Sequence, residues 1–201
     1  MIDLPTDLPA EIVPLSWLLG VWEGTGVIDY HAGDAAFSGE FAHRVSFSHD
    51  GQGHLNYTAS AWLLGEDGAR TPLVAESGYW RLARPATDAD PGPALLPPVI
   101  AGAPARTADD VEGLRTADDA FEIEVALVHS DGISELYLGQ VAGPRIDIAT
   151  DAVVRPAGAK PYAAATRLYG YVDGHLLWAW DVAALGGELA SHASARLARA
   201  D

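Results

Sequence analysis

The chain has 201 residues, of which 49% are apolar, and carries 28 acidic against 12 basic side chains for a formal net charge of −16. That balance argues against nucleic acid, whose phosphates demand a basic face, and against an anionic membrane surface. No cysteine is present, which excludes disulfides, thiolate metal sites, iron–sulfur clusters, thiol nucleophiles and covalent c-type haem. The segment from Met1 to Asp7 has neither the basic start nor the apolar run of a secretory leader, and no stretch has the length of a membrane-spanning helix, so the expected compartment is the cytoplasm.

Pro9 to Leu19 is apolar and reads as a short helix or a pair of turns. Gly20-Val21-Trp22-Glu23-Gly24-Thr25-Gly26 follows and reads as a first β-strand entered by a tight turn. Its glycines permit close backbone approach, and Trp22 is a large structural anchor at the barrel base. Gln52-Gly53 and Asp67-Gly68 are turn signals. Phe121 to Leu127 alternates cleanly, with Phe121, Ile123, Val125 and Leu127 on one face. Leu136 to Leu138 and Ile146 to Ile148 repeat the pattern. Two long alternating runs, Tyr162 to Val172 and His175 to Ala183, flank Asp173-Gly174, a type I′ hairpin signal. About ten strands in meander order predict an all-β fold, an antiparallel up-and-down barrel preceded by a short helical segment, with a two-sheet sandwich as the alternative.

Residues 84–118 interrupt this rhythm. The stretch carries six of the 13 prolines and is rich in Ala, Gly and Asp, a composition that a strand does not tolerate. It reads as a long flexible insertion within a single domain spanning 1–201, because the strands on either side need each other to close.

Candidate chemistry is sparse. There is no nucleophile elbow and no glycine-rich phosphate loop. His43, His49 and His54 gather around one turn at no familiar ligand spacing and read as solvated turn residues. His129 reads as ordering a hairpin, and His31 as a loop histidine. Trp62, Trp80, Trp178 and Trp180 read as wall packing. Strict alternation places His192 with Ser194 and Arg196, opposite Leu189, Ala193 and Leu197, so an inward His192 requires a bulge or the barrel rim.

Several motifs, in order, resemble those of the nitrobindin family. Gly20, Trp22, Gly24 and Gly26 are similar to its Gly-x-Trp-x-Gly-x-Gly signature, and Ser77 to Arg81 to its Gly-Tyr-x-Arg strand. Val128 to Glu135 looks like its Ala-His-Pro-x-Gly-x-x-Glu hairpin, and Ala159-Lys160 with Arg167-x-Tyr169 like its Ala-Lys…Arg-x-Tyr spacing. Gly186-x-x-Leu189-x-x-His192 with Leu197-x-Arg199 resembles its last strand. The resemblance implies a fatty-acid-binding-protein-like barrel holding one haem b per chain, with His192 as axial iron ligand and Lys160 beside the propionates. It implies a ferric iron that binds nitric oxide and isomerises peroxynitrite to nitrate, and it leaves a homodimer open. After the first motif the family continues Gly-x-Tyr-Pro-Thr-Ile. Here Tyr30 is followed by His31-Ala32-Gly33, which implies an altered cavity. The alternatives are a carrier of a fatty acid or other hydrophobic ligand, with Arg81 or Arg167 meeting its carboxylate, and a relative that has lost haem.

Overall fold

The structure, a computed structural model, describes residues 8–32, 35–102 and 106–200. The leader expectation for Met1 to Asp7 and the Gly33 replacement lie outside them. A 3₁₀ helix, Ala10–Leu18, turns Ile12, Leu15 and Leu18 inward and plugs one end of the molecule. Pro14 within it has no N–H to donate, which suits a short tight helix better than a long α-helix. The plug is tied to the first strand by the Trp22 indole N–H, which donates to the Leu18 carbonyl at 2.7 Å. Trp22 itself is 1% exposed.

Ten antiparallel strands follow among the described residues, each paired with its sequence neighbours: β1 (Gly20–Ala32), β2 (Ala35–Ser48), β3 (His54–Leu64), β4 (Arg70–Leu82), β5 (Phe121–His129), β6 (Ser134–Ala142), β7 (Arg145–Val154), β8 (Tyr162–Val172), β9 (His175–Ala184) and β10 (Ala190–Ala200). β10 returns to pair with β1, from Val21 opposite Ala200 to Ile28 opposite Ala193, and the barrel has no free edge. The β8–β9 turn is the expected mirror-image hairpin, with Asp173 and Gly174 at φ +49° and +79°. Period-two alternation sets the interior: in β5, Phe121, Ile123, Val125 and Leu127 are all buried.

The glycine motif acts at the closing seam. A Cβ on Gly24 would collide with the Arg196 carbonyl oxygen, and one on Gly26 with that of Ser194. These glycines let β10 lie tight against β1, and β10 is the strand that carries His192.

The described residues between 84 and 118 lie outside the ring of strands. Arg84 forks onto Asp90 (2.9 and 2.7 Å) and reaches Glu11 of the 3₁₀ helix at 2.7 Å. Arg106 sits 3.2 Å from Glu11 and 3.3 Å from Asp90. A single helical turn, α1 (Ala108–Glu112), starts from a Thr107–Asp110 capping box and buries Val111. No helix among the described residues is long and apolar enough to cross a membrane.

Candidate ligand cavity

Four strands send charged side chains into the barrel interior. The Arg167 guanidinium, on β8 and 2% exposed, donates to both oxygens of Glu76 on β4 at 2.7 and 2.8 Å. It also reaches Glu135 on β6 at 3.3 Å and the Tyr137 hydroxyl at 3.0 Å. His129, at the end of β5, places Nε2 2.6 Å from Glu135 and 3.4 Å from Glu76. Tyr57 donates to Glu76 at 2.6 Å, Tyr137 donates to Glu135 at 2.8 Å, and Tyr162 also donates to Glu135. Burial alone would raise the Glu76 carboxyl. The Arg167 charge and its two hydrogen bonds overcome that and hold it down at about 2. Glu135 is likewise pushed up by burial and pulled below its ordinary value by His129 and Arg167. Ligand atoms of Glu76, His129 and Glu135 lie within 4.8 Å of one another, as in a metal site. The cation these carboxylates hold, however, is already present in the Arg167 guanidinium.

Above this charged floor lies an apolar cavity of about 260 Å³, walled by Ile28, Phe41, Val74, Trp178 and Trp180 and reached by Glu76, His43 and His192. Trp180 joins the two layers, because Arg167 stacks beneath its ring at 4.4 Å. His192 stands at the cavity wall because the β9–β10 register slips there. Ser191 faces Asp181, the next pair is Ala193 with Trp180, and His192 is the extra residue. This bulge settles the alternation problem: His192 and Ala193 both line the cavity, while Arg196 stays on the outer face, where it reaches His175. Leu189 precedes β10 and is exposed, so it sets no register.

The His192 ring packs edge-on against Tyr30 (5.3 Å) and Trp180 (5.8 Å). Burial is the one influence that lowers its pKa, so the ring stays neutral with a lone pair available near pH 7. A second hollow, also about 260 Å³, shares Trp180 and His192 and opens past Tyr30, Pro161 and Tyr162 to Lys160. Lys160 makes no ion pair among the described residues, although it lies in a strongly acidic chain. A further hollow, about 510 Å³, runs along the outer surface of β6–β9 and contains no histidine.

An apolar slot, a neutral half-buried imidazole on its wall and an unpaired ammonium at its mouth suit a flat hydrophobic group that bears a metal and carboxylates. A haem fits this donor set. His192 and Lys160, named from the sequence, are thus brought to one place. His31 is not. It lies on β1 rather than in a loop, 71% exposed and 3.3 Å from Asp29, because its alternation turns it outward. His43 is a correction in the other direction. Far from a solvated turn, it sits within β2, 3% exposed, on the inward face with Phe41, Val45 and Phe47. That every-second-residue run was the signal that could have found it. Trp178 and Trp180 line the cavity, whereas Trp80 is buried packing. Glu76, missed in the sequence, falls in register with Trp80 and Leu82 on the inward face of β4. The carrier reading needs a free arginine. Arg167 is fully engaged, and Arg81 is exposed and paired with Glu124 at 2.6 Å.

Comparison with known proteins agrees with this geometry. The profile of the THAP4-like, heme-binding beta-barrel domain matches residues 11–199. A protein named peroxynitrite isomerase from Leifsonia xyli subsp. xyli is 63% identical over 201 residues, the whole of both chains. One of the same name from Clavibacter michiganensis subsp. michiganensis is 62% identical, again over both full lengths. A third, from Kocuria rhizophila, is 51% identical over 98% of this chain and 95% of its own. The crystal structure of Rv2717c from M. tuberculosis superimposes with a TM-score of 0.66 over 99% of this chain and 100% of that one, at 24% identity, a likeness of fold.

Proposed function

Because the chain belongs to the THAP4-like, haem-binding β-barrel family, the nitrobindins, we propose that it holds one ferric haem b per chain on His192, binds nitric oxide there and isomerises peroxynitrite to nitrate in the cytoplasm. The observation that carries this reading is the bulge at His192, which turns a neutral imidazole into an apolar cavity on the strand where the family resemblance puts the ligand. When bound, the haem would supply a Lewis-acidic ferric centre toward the peroxynitrite oxygen.

The chain's own residues do the rest. The His192 ring is held edge-on between Tyr30 and Trp180, which fixes the direction of its lone pair. Lys160 would meet a propionate at the mouth. Phe41, Val74 and Trp178 exclude water from the inner side, so that a reacting anion rearranges in a medium that does not solvate it. The floor holds Trp180 in place from below through Arg167. Isomerisation conserves every atom and electron, and no external oxidant or reductant is called for.

The test is rapid mixing of haem-loaded protein with peroxynitrite. Faster decay with a product shift toward nitrate is expected of the wild type. His192→Ala, treated with haem in the same way, should return to the uncatalysed rate. Equal decay with and without protein would reject the activity.

A further inference from the structure

His129 belongs to two regions at once. It ends β5, where its N–H donates to the Ile133 carbonyl at 2.8 Å and its carbonyl accepts from Gly132 at 2.9 Å, so the hairpin fixes its backbone. Its ring meets the charged floor at Nε2, yet His129 also lines the hollow that His192 shares with Lys160. The charged members of the floor, Glu76, Glu135 and Arg167, are not among the walls of that hollow. Both imidazoles pack against Trp180, with ring centroids 6.2 Å from it for His129 and 5.8 Å for His192.

Glu135 decides which ring nitrogen is the donor. Its carboxylate can only accept, and Nε2 lies 2.6 Å from it, so Nε2 carries a proton. The Glu135 side chain is fully buried and takes three further donors, Tyr137, Tyr162 and Arg167, which fix its place. The neutral ring then keeps its lone pair on Nδ1, which makes no hydrogen bond among the described residues. The two nitrogens of an imidazole diverge, so Nδ1 is turned away from the floor. A carboxylate behind an imidazole whose far nitrogen is free is the arrangement that orients a general base and steadies the imidazolium it becomes. The charge count agrees. Glu76 and Glu135 oppose one guanidinium, so the floor carries one negative charge in excess, and a proton on Nδ1 cancels it. Of the other charged walls of the hollow, Asp131 accepts from the Ile133 N–H of its own turn at 3.2 Å, and Lys160 is assigned to a propionate above.

We propose that His129 is a catalytic proton acceptor, which takes at Nδ1 the proton of a weak acid entering this hollow, with Glu135 as its positioning residue. The proposal rests on the function given above, and for that reaction the acid is peroxynitrous acid. Its O–H bond breaks, an N–H bond forms at Nδ1, and the anion left behind is the species that rearranges. Nitrate leaves as an anion and the proton passes from Nδ1 to water, so atoms and charge balance without a further reagent. A chain of net charge −16 repels an incoming anion and admits the neutral acid, which gives a base inside the hollow its use.

Haem-loaded full-length protein is mixed rapidly with cyanide at neutral pH and, separately, with nitric oxide. Hydrogen cyanide must lose its proton to bind ferric iron as an anion, whereas nitric oxide has none to lose, and the Soret shift reads both without any turnover. His129→Gln keeps an N–H for Glu135 and has no basic nitrogen. It should bind cyanide about 100-fold more slowly than wild type, the worth of a positioned base, and nitric oxide at the wild-type rate. The haem-free wild type supplies a reading that needs no variant. In a long-range proton–nitrogen spectrum taken in mildly alkaline solution, His129 should show a protonated Nε2 and a bare Nδ1. Unchanged cyanide binding in the variant, equal slowing of both ligands, or the opposite tautomer would each overturn the proposal while leaving haem on His192 intact. A wild type that takes up no haem would remove the haem reading and this proposal together.

Discussion

The two layers of the barrel interior handle polarity in opposite ways. In the floor, Glu76, Arg167, Glu135 and His129 come from four strands, and every charge is matched within 2.6 to 3.4 Å. Around the adjoining cavity, His43, Trp178 and Trp180 keep buried polar atoms without a partner among the described residues. A matched buried network specifies a single arrangement of its strands, and it is worth most as a set because any half of it is an uncompensated charge. Unmatched atoms add nothing to the stability of the empty protein. Such atoms occur in plain packing too, at Trp80 Nε1 in the core, so what sets the cavity apart is its apolar wall with the half-buried His192 imidazole on it.

The largest expected effect breaks the floor. Arg167→Met leaves Glu76 and Glu135 buried without their cation and should lower unfolding free energy by about 3–5 kcal/mol, as removal of one partner of a buried pair does. Denaturant melting checks this, and a loss under 1 kcal/mol would mean that the floor is incidental. A triple replacement by apolar residues at 76, 135 and 167 should recover most of the loss, since it leaves no orphan charge.

Acid titration separates the layers next. The folded pKa of His43 is depressed from 6.5 to about 4, so the unfolded chain binds its proton first, and stability falls as pH drops from about 6.5 to 4. The size is about 3 kcal/mol by the same linkage. Glu76 is depressed from 4.5 to about 2, so its contribution is present above 4.5 and is lost only as pH falls toward 2. His43→Phe should flatten the upper window and leave the lower one intact. An unchanged slope between pH 6.5 and 4 would contradict the buried neutral ring.

The smallest stability effect belongs to a third region that touches neither layer. Arg84 is 20% exposed and pairs with Glu11 of the 3₁₀ helix and with Asp90 in its own segment. Arg84→Ala should cost about 1 kcal/mol, typical of a well-formed but partly solvated pair. Calorimetric melting measures it, and binding in the cavity should be untouched.

Much of the barrel was legible because alternation and turn chemistry are local. Asp173-Gly174 announces its hairpin, and Phe121 to Leu127 announces which face is inside. The charged floor was not legible from the chain alone. A lone Glu76 or Arg167 on an inward face looks forbidden until its partner, 91 residues away in sequence, is known to stand opposite. The bulge that turns His192 inward leaves no residue signature, because Ser191 and Ala193 fit either register. His43 is different: Phe41-x-His43-x-Val45-x-Phe47 states its orientation, and proximity to His49 and His54 in sequence obscured a period-two pattern. The family resemblance named His192 and Lys160, which line one hollow although periodicity alone does not bring them together.

The measurement that bears most directly on the division between a structural floor and a binding cavity is haem titration of three proteins, read by the Soret band with circular dichroism alongside. Wild type should take up one haem per chain. His192→Ala should lose the band while keeping the wild-type melting curve, because a half-buried cavity residue at a bulge contributes little to packing. Arg167→Met should lose stability first and haem only in proportion to the unfolded fraction. An unchanged Soret band in His192→Ala, or a melting loss in it comparable to that of Arg167→Met, would contradict the account.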